Sequence, residues 1–206
     1  FDDSKERNFL NKLDLGANVS YMRVHNTGIE ANSTWGSPLG SALYLAPTLP
    51  VTLTQFASIC LPIRRGDVWL SHFYGSWANE ARLVEEPILP GEKIIKNKDG
   101  VRNSHTDHAE VMFSLNGKGQ ENQGDVIGAA LCYSGNFQLK VETDDTEYHY
   151  FFAGINPDNS EYHLKKGEIF TTPKVALSFS QSGLSGVSRN FHKWGRKYMM
   201  AHGDKE

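Results

Sequence analysis

No run of apolar residues in this chain approaches the roughly 20 that span a bilayer as a helix, and nothing signal-like follows Phe1. A membrane partner is therefore not expected. Basic blocks are missing too: the formal net charge is −3 over 206 residues, which leaves little to neutralise a phosphate backbone and sets nucleic acid aside as a partner. Cysteine is scarce. Cys60 and Cys132 each sit inside an apolar, strand-like run, where a buried free thiol is the usual state; a disulfide between neighbouring strands is the alternative that sequence leaves open. There is no Gly-x-Ser-x-Gly elbow and no phosphate-binding glycine loop. Strands do not alternate with helices, which excludes a doubly wound sheet and a complete barrel enzyme. The chain begins without Met and is read as processed or excised, so a missing leader says little about compartment; the expectation leans cytoplasmic.

What is present is β pattern. Hydrophobic residues make up 39% and aromatic residues 11%, enough for a core that needs neither disulfides nor metal. Val51, Leu53, Ala57, Ile59, Leu61 and Ile63 alternate with polar positions, as does the trio Val111, Phe113 and Leu115. Val126 to Tyr133 is continuously apolar, as in a strand covered on both faces. Ser134-Gly135-Asn136 then reads as a tight turn joining two antiparallel strands, the second carrying Phe137, Leu139 and Val141. Tyr148, Tyr150 and Phe152 form another alternation, closed by Gly154-Ile155-Asn156-Pro157, and Val175, Leu177 and Phe179 the last. Short strands at this spacing, punctuated by Gly, Asn and Pro, predict an all-β, antiparallel sandwich.

The end of the chain changes period. Val187, Phe191, Trp194 and Tyr198 step by four, three and four, one face of a helix. Ser185 or Ser188 is expected to cap its start, His192, Lys193, Arg196 and Lys197 suit its negative end, and Gly203 marks its stop. The division predicted is a sandwich over 1–182, with 1–50 lacking a clean period, and a C-terminal linker helix over 183–202.

Few residues stand out as chemical candidates. Trp77, in Tyr74-Gly75-Ser76-Trp77, has two readings. An indole at a strand end stacks well on the C–H face of a sugar; equally, it belongs in a core or a domain interface. Glu80 and Arg82 alternate on one side beyond it, as a hydroxyl-binding pair or a solvated ion pair. His105 and His108 invite a metal reading, but three residues apart they point to opposite faces of a strand, and the surrounding segment reads as a loop. A loop histidine bonding backbone or sugar is preferred for His105, and neither metal nor cofactor is expected. Glu85-Glu86, Asp144-Asp145 and Asp2-Asp3 are adjacent carboxylates in predicted turns or termini. They point apart rather than flanking a bond as glycosidase carboxylates do, so no catalytic residue is assigned.

Several short motifs run in order: Phe73-Tyr74-Gly75-Ser76-Trp77-Ala78-Asn79-Glu80, Ser104-His105, Tyr133-Ser134-Gly135-Asn136, Gly154-Ile155-Asn156-Pro157, Gly167-Glu168 with Phe170 and Thr172-Pro173, and Ser188-Arg189 with Phe191-His192. In this order and spacing they resemble, over roughly Thr52 to His202, the N-terminal β-sandwich domain of family 36 glycoside hydrolases, the retaining α-galactosidases. The resemblance implies a supersandwich of the galactose-mutarotase-like kind, packed on a catalytic barrel that supplies both aspartates. The nucleophile's Lys-Trp-Asp context has no counterpart, since the single Lys-Trp here, Lys193-Trp194, runs into Gly195.

By that resemblance Trp77 borders the galactose pocket, with weaker carry-over to Glu80 and His105. Asn136 and Asn156-Pro157 serve turn geometry, and Ser188 to His192 open the helix that leads to the barrel. The expected function is that of a non-catalytic N-terminal domain, inactive alone, which supports the barrel and walls the pocket for an α-galactoside within an enzyme that could be a homo-oligomer. The alternative is a stand-alone carbohydrate-binding or structural interaction module.

Overall fold

The computed structural model describes residues 22–25, 29–35, 41–47, 50–63, 65–100 and 106–200, with backbone placement alone for the three strands before residue 50. Three antiparallel sheets organise these residues. The largest runs β14 (Phe170–Thr171), β3 (Ser41–Pro47), β15 (Lys174–Ser180), β10 (Asp125–Cys132), β9 (Asp107–Leu115), β6 (Val68–Ser76) and β7 (Asn79–Pro87), with β2 (Ile29–Trp35) also paired to β3. Opposite it lie β5 (Ile59–Ile63), β12 (His149–Ile155), β11 (Phe137–Thr143) and β8 (Gly91–Lys96). A small third sheet joins β1 (Met22–His25), β4 (Val51–Phe56) and β13 (Tyr162–Leu164).

The predicted alternation sets the core. Leu70, Phe113, Ile127 and Ala129 project from the large sheet onto Leu61, Ile63, Leu139 and Phe151 of the four-stranded one. Phe113 and Phe151 meet edge to face at 5.1 Å, one ring from each layer, and burying each such side chain contributes about 1.5–3 kcal/mol. Phe56, Tyr162 and Phe170 form a second cluster, with Phe56 and Phe170 4.7 Å apart. The all-β antiparallel sandwich with a C-terminal helix is thus the fold observed.

Three local expectations are corrected. The alternation from Val51 to Ile63 is two strands: both Phe56 and Ala57 are buried, which breaks the phase, and Ser58 donates its amide to Ala153 O at 2.7 Å as the chain passes to the other sheet. Ser134-Gly135-Asn136 is no hairpin turn either, because β10 and β11 belong to opposite sheets. It carries the chain across the sandwich, held where Gly100 N donates to Asn136 Oδ1 at 2.7 Å and Asn156 N to Asn136 O at 3.0 Å. Glu85-Glu86 lies inside β7, where Lys118 Nζ stands 3.2 Å from Glu85 Oε2. As for the cysteines, Cys60 in β5 and Cys132 in β10 are free thiols in different sheets.

Helix α1 (Gly183–Trp194) covers the outer faces of β10 and β15. Gly128 makes room for it: a Cβ there would lie 2.3 Å from Val187 Cγ1 and 2.8 Å from Phe191 Cε2. β10 is therefore covered on both sides, as its continuous apolar run predicts. Neither Ser185 nor Ser188 caps the helix. Its first amides donate instead to backbone carbonyls of the preceding loop, Gly183 N to Gly124 O at 3.1 Å, Leu184 N to Gln120 O and Ser185 N to Glu121 O both at 3.0 Å, so the exposed donors of a helix start are already satisfied. After Trp194 the chain widens into a π-helical segment, Gly195–Met199, closed by Met200 N on Gly195 O at 3.0 Å. That extra residue rotates Tyr198 off the packed face, leaving it 57% exposed. Gly203 lies outside the described residues.

Candidate functional site

The β6–β7 hairpin outruns the strand beside it. β9 begins at Asp107, opposite Tyr74, and beyond that rung Gly75 N donates to Thr106 O at 2.8 Å. Ser76 and Asn79 pair to close a two-residue loop, Trp77-Ala78. Three residues here have positive φ: Gly75 at 137°, Ala78 at 64° and Ala81 at 52°. For the two alanines that conformation is strained, and at Gly75 a side chain is excluded outright by Asn79 O.

Trp77 sits at the apex, 82% exposed. The reading of Trp77 as a core residue of this domain is thereby removed. Tyr74, at 42%, and Leu83, at 49%, extend the exposed apolar surface along the same hairpin. Glu80 is also exposed, but the positive φ of Ala81 breaks the strict alternation that would set it beside Arg82. Arg82 instead donates its Nε to Asn79 Oδ1 at 2.7 Å, bracing the turn. His105 lies outside the described residues. The strand starts at Asp107 rather than beyond Glu110, and His108 Nδ1 stands 3.0 Å from Glu110 Oε1 on that strand. Among the described residues no three His, Cys, Asp or Glu side chains gather where a metal could be held.

The hairpin root carries a group of residues not singled out from sequence. His72 is 6% exposed and points into the sandwich. Neither of its ring nitrogens has a hydrogen-bond partner, although the Phe73 backbone lies near enough to favour the charged ring slightly. Its Nε2 is 3.8 Å from Glu86 Oε1, and the same oxygen is 2.5 Å from Lys93 Nζ of the opposite sheet, an ion pair without hydrogen-bond geometry. Burial, and secondarily Lys93, pull the His72 pKa below its ordinary value against the opposing pull of Glu86 and Asp107. Burial pushes the Asp107 carboxyl up. The clue was a histidine on the apolar phase Val68, Leu70, His72.

A cavity of about 20 Å³ lined in part by Gln55, Phe56, Lys140, Phe152 and Pro157 has room for one water. It is far too small for a sugar ring and lies on the four-stranded sheet, away from Trp77.

Fold and hairpin together define an antiparallel sandwich that presents an exposed aromatic tip. Comparison with known proteins gives the family. The profile described as "Glycosyl hydrolase family 36 N-terminal domain" matches residues 46–165, and the chain belongs to that family. It is 32% identical over 149 residues, 72% of its length and 16% of the other protein's, to the bifunctional alpha-galactosidase/sucrose kinase AgaSK of Mediterraneibacter gnavus. The crystal structure of the GH36 alpha-galactosidase AgaB from Geobacillus stearothermophilus superimposes with a TM-score of 0.79 at 26% identity, over 87% of this chain and 26% of that one. A doubly substituted AgaA from the same organism, solved in complex with raffinose, gives 0.79 at 25% identity, over 87% and 26% of the two chains. This chain thus spans only 16% to 17% of the length of the first two curated relatives, the N-terminal domain region of family 36 α-galactosidases.

Proposed function

We propose that these 206 residues act as the sandwich domain of an α-galactosidase, supporting a catalytic barrel and closing one wall of its sugar pocket with Trp77. The exposure of Trp77 at a braced hairpin tip carries this reading. A free indole face of this kind is what the C–H side of a galactose ring packs against, while adjacent polar groups meet hydroxyls. Glu80 supplies such a group, and His105 is the further candidate, its neighbour Thr106 being bonded to Gly75 at the hairpin root. The substrate class is the terminal α-galactoside, the class to which raffinose belongs. Retaining hydrolysis needs two carboxylates about 5–5.5 Å apart, and in this reading both come from the barrel.

Helix α1 and the π-helical segment form the outgoing linker. Tyr198, Met199 and Met200, each more than half exposed, are offered to the barrel, and the assembled enzyme is expected to associate into oligomers, readable by light scattering. The deciding assay is turnover of p-nitrophenyl α-D-galactoside by this chain and by the longer gene product that contains it. Turnover in the longer product alone supports the reading. Turnover by the chain itself overturns it, and tight galactoside binding by the chain without turnover favours a stand-alone carbohydrate-binding module.

A further inference from the structure

The buried cluster at the hairpin root stands where the backbone ladder is irregular. Pairing between β6 and β9 shifts register between His72 and Tyr74, and pairing between β6 and β7 shifts again between Tyr74 and Ser76. Gly75 N to Thr106 O is the backbone bond bridging these two irregularities. Both irregularities lie between His72 and the strained turn that bears Trp77.

Three charged groups face His72. Glu86 comes from β7, with Oε1 3.8 Å from Nε2. Lys93 comes from β8 of the opposite sheet, with Nζ 2.5 Å from that same Oε1. Asp107 comes from β9, paired to Tyr74 one rung beyond. Glu86 Oε1 thus stands between two basic groups, and its ion pair with Lys93 joins the two sheets at this corner. A neutral imidazole makes no claim. An imidazolium, buried and without a hydrogen-bond partner, makes a strong one, since a desolvated charge must be paired, and Glu86 is the carboxylate within ion-pair distance.

We propose that His72 is a proton-operated latch: on taking up one proton from solvent it draws Glu86 away from Lys93, loosens the tie between the sheets at the hairpin root, and resets the turn that carries Trp77. Solvent reaches the cluster along the Glu86 and Lys93 side chains, which are 35% and 42% exposed. Its consequence for the sugar pocket rests on the reading of Trp77 above; its test does not, because no sugar is used.

The sign follows from the environment. Burial and Lys93 keep His72 neutral to lower pH than an ordinary histidine, so the latch stays closed near neutrality and opens on acidification below the usual histidine range.

The experiment is an NMR titration of the whole chain from pH 7.5 to 5, following the His72 ring and the Trp77 indole N–H. The expected result is a Trp77 shift with the midpoint of His72, below the ordinary histidine value, accompanied by several-fold faster amide exchange over residues 74–82. His72→Gln should hold the Trp77 signal still. Lys93→Met, at a half-exposed position, removes the tie itself, so it should raise the His72 midpoint and leave Trp77 without a response. A stationary Trp77 while His72 titrates in the unaltered chain overturns the proposal, as does a Trp77 response surviving unchanged in His72→Gln. Where His72→Gln fails to give a dispersed amide spectrum, Lys93→Met decides, and a Trp77 response that persists there overturns the proposal. Failure of the sugar-wall reading shows separately, as no galactoside-dependent change in Trp77 kinetics in the full enzyme.

Discussion

Gly75 lies against Asn79 so closely that a Cβ on the glycine would stand 2.2 Å from the asparagine carbonyl oxygen. The hairpin tip bearing Trp77 closes only because nothing occupies that space. Gly75 also adopts φ of 137°, which side chains rarely tolerate. Gly75→Ala should therefore open the tip, costing about 1–3 kcal/mol. Thermal melting and the amide signals of residues 74–80 check this, the latter moving because the turn loses its closure.

The seat of α1 is equally specific. Val187 is fully buried and touches the strand at the glycine that admits the helix. Val187→Ala should cost roughly 2 kcal/mol in urea unfolding, through lost contacts and residual cavity. Gly128→Val should destabilise by about 1–3 kcal/mol by overpacking the same contact, with the helix displaced rather than the sandwich unfolded. Loss of the Val187 and Phe191 methyl and ring contacts in NMR, with β9 and β10 amides retained, would be the signature.

Acid should act at two exposed turns. Asp158, hydrogen-bonded to Lys96 Nζ at 2.7 Å and close to Lys98 Nζ at 2.8 Å, has its pKa pulled down to about 2. Asp144 accepts bonds from Tyr148 N and Thr146 N, both at 2.9 Å, and from Thr146 Oγ1 at 2.7 Å, which lower its pKa as well. A carboxyl depressed in the fold binds its proton more tightly when unfolded. Its contribution is thus complete above the ordinary value of 3.8 and, for Asp158, is lost as pH falls toward about 2. Asp158→Asn should flatten the fall in urea midpoint over that interval and leave the profile above it unchanged.

The thiols should be inert in the native state. Burial first, then Glu142, raises the Cys60 pKa to about 11, and burial raises that of Cys132. Thiolate is the reactive form, so iodoacetamide at pH 8 should label neither cysteine until denaturant is added. Labelling of Cys60 in the folded chain would contradict its placement.

How far the sequence reaches depends on which physical signal is local. The period of two along a strand is fixed by the backbone, so Val111-Phe113-Leu115 and Phe137-Leu139-Val141 declare their buried faces without any knowledge of neighbours. Which strand pairs with which is not local. Ser134-Gly135-Asn136 looks the same whether it closes a hairpin or crosses between sheets, and here it crosses. The π-helical segment is invisible for a like reason: spacing alone keeps Tyr198 in phase with Val187, while one added residue per turn takes it out. At the site, the motif around Trp77 marks a turn but does not say which way the indole faces, since Gly75-Ser76-Trp77 suits an exposed tip or an interface equally. His72 was legible in principle, as a titratable residue on the apolar phase of β6, yet its partners Glu86 and Lys93 come from two other strands and only the fold assembles them.

The proposed role of Trp77 is to wall a galactoside pocket completed by a barrel. The most direct measurement is the steady-state kinetics of Trp77→Ala against the unaltered protein, in the longer gene product, with raffinose as substrate. Losing one stacking face should raise KM about tenfold or more, equivalent to roughly 1.4 kcal/mol of binding, with kcat changed much less because no reacting group is removed. Unchanged KM and kcat would contradict the account and leave Trp77 as an interface residue alone.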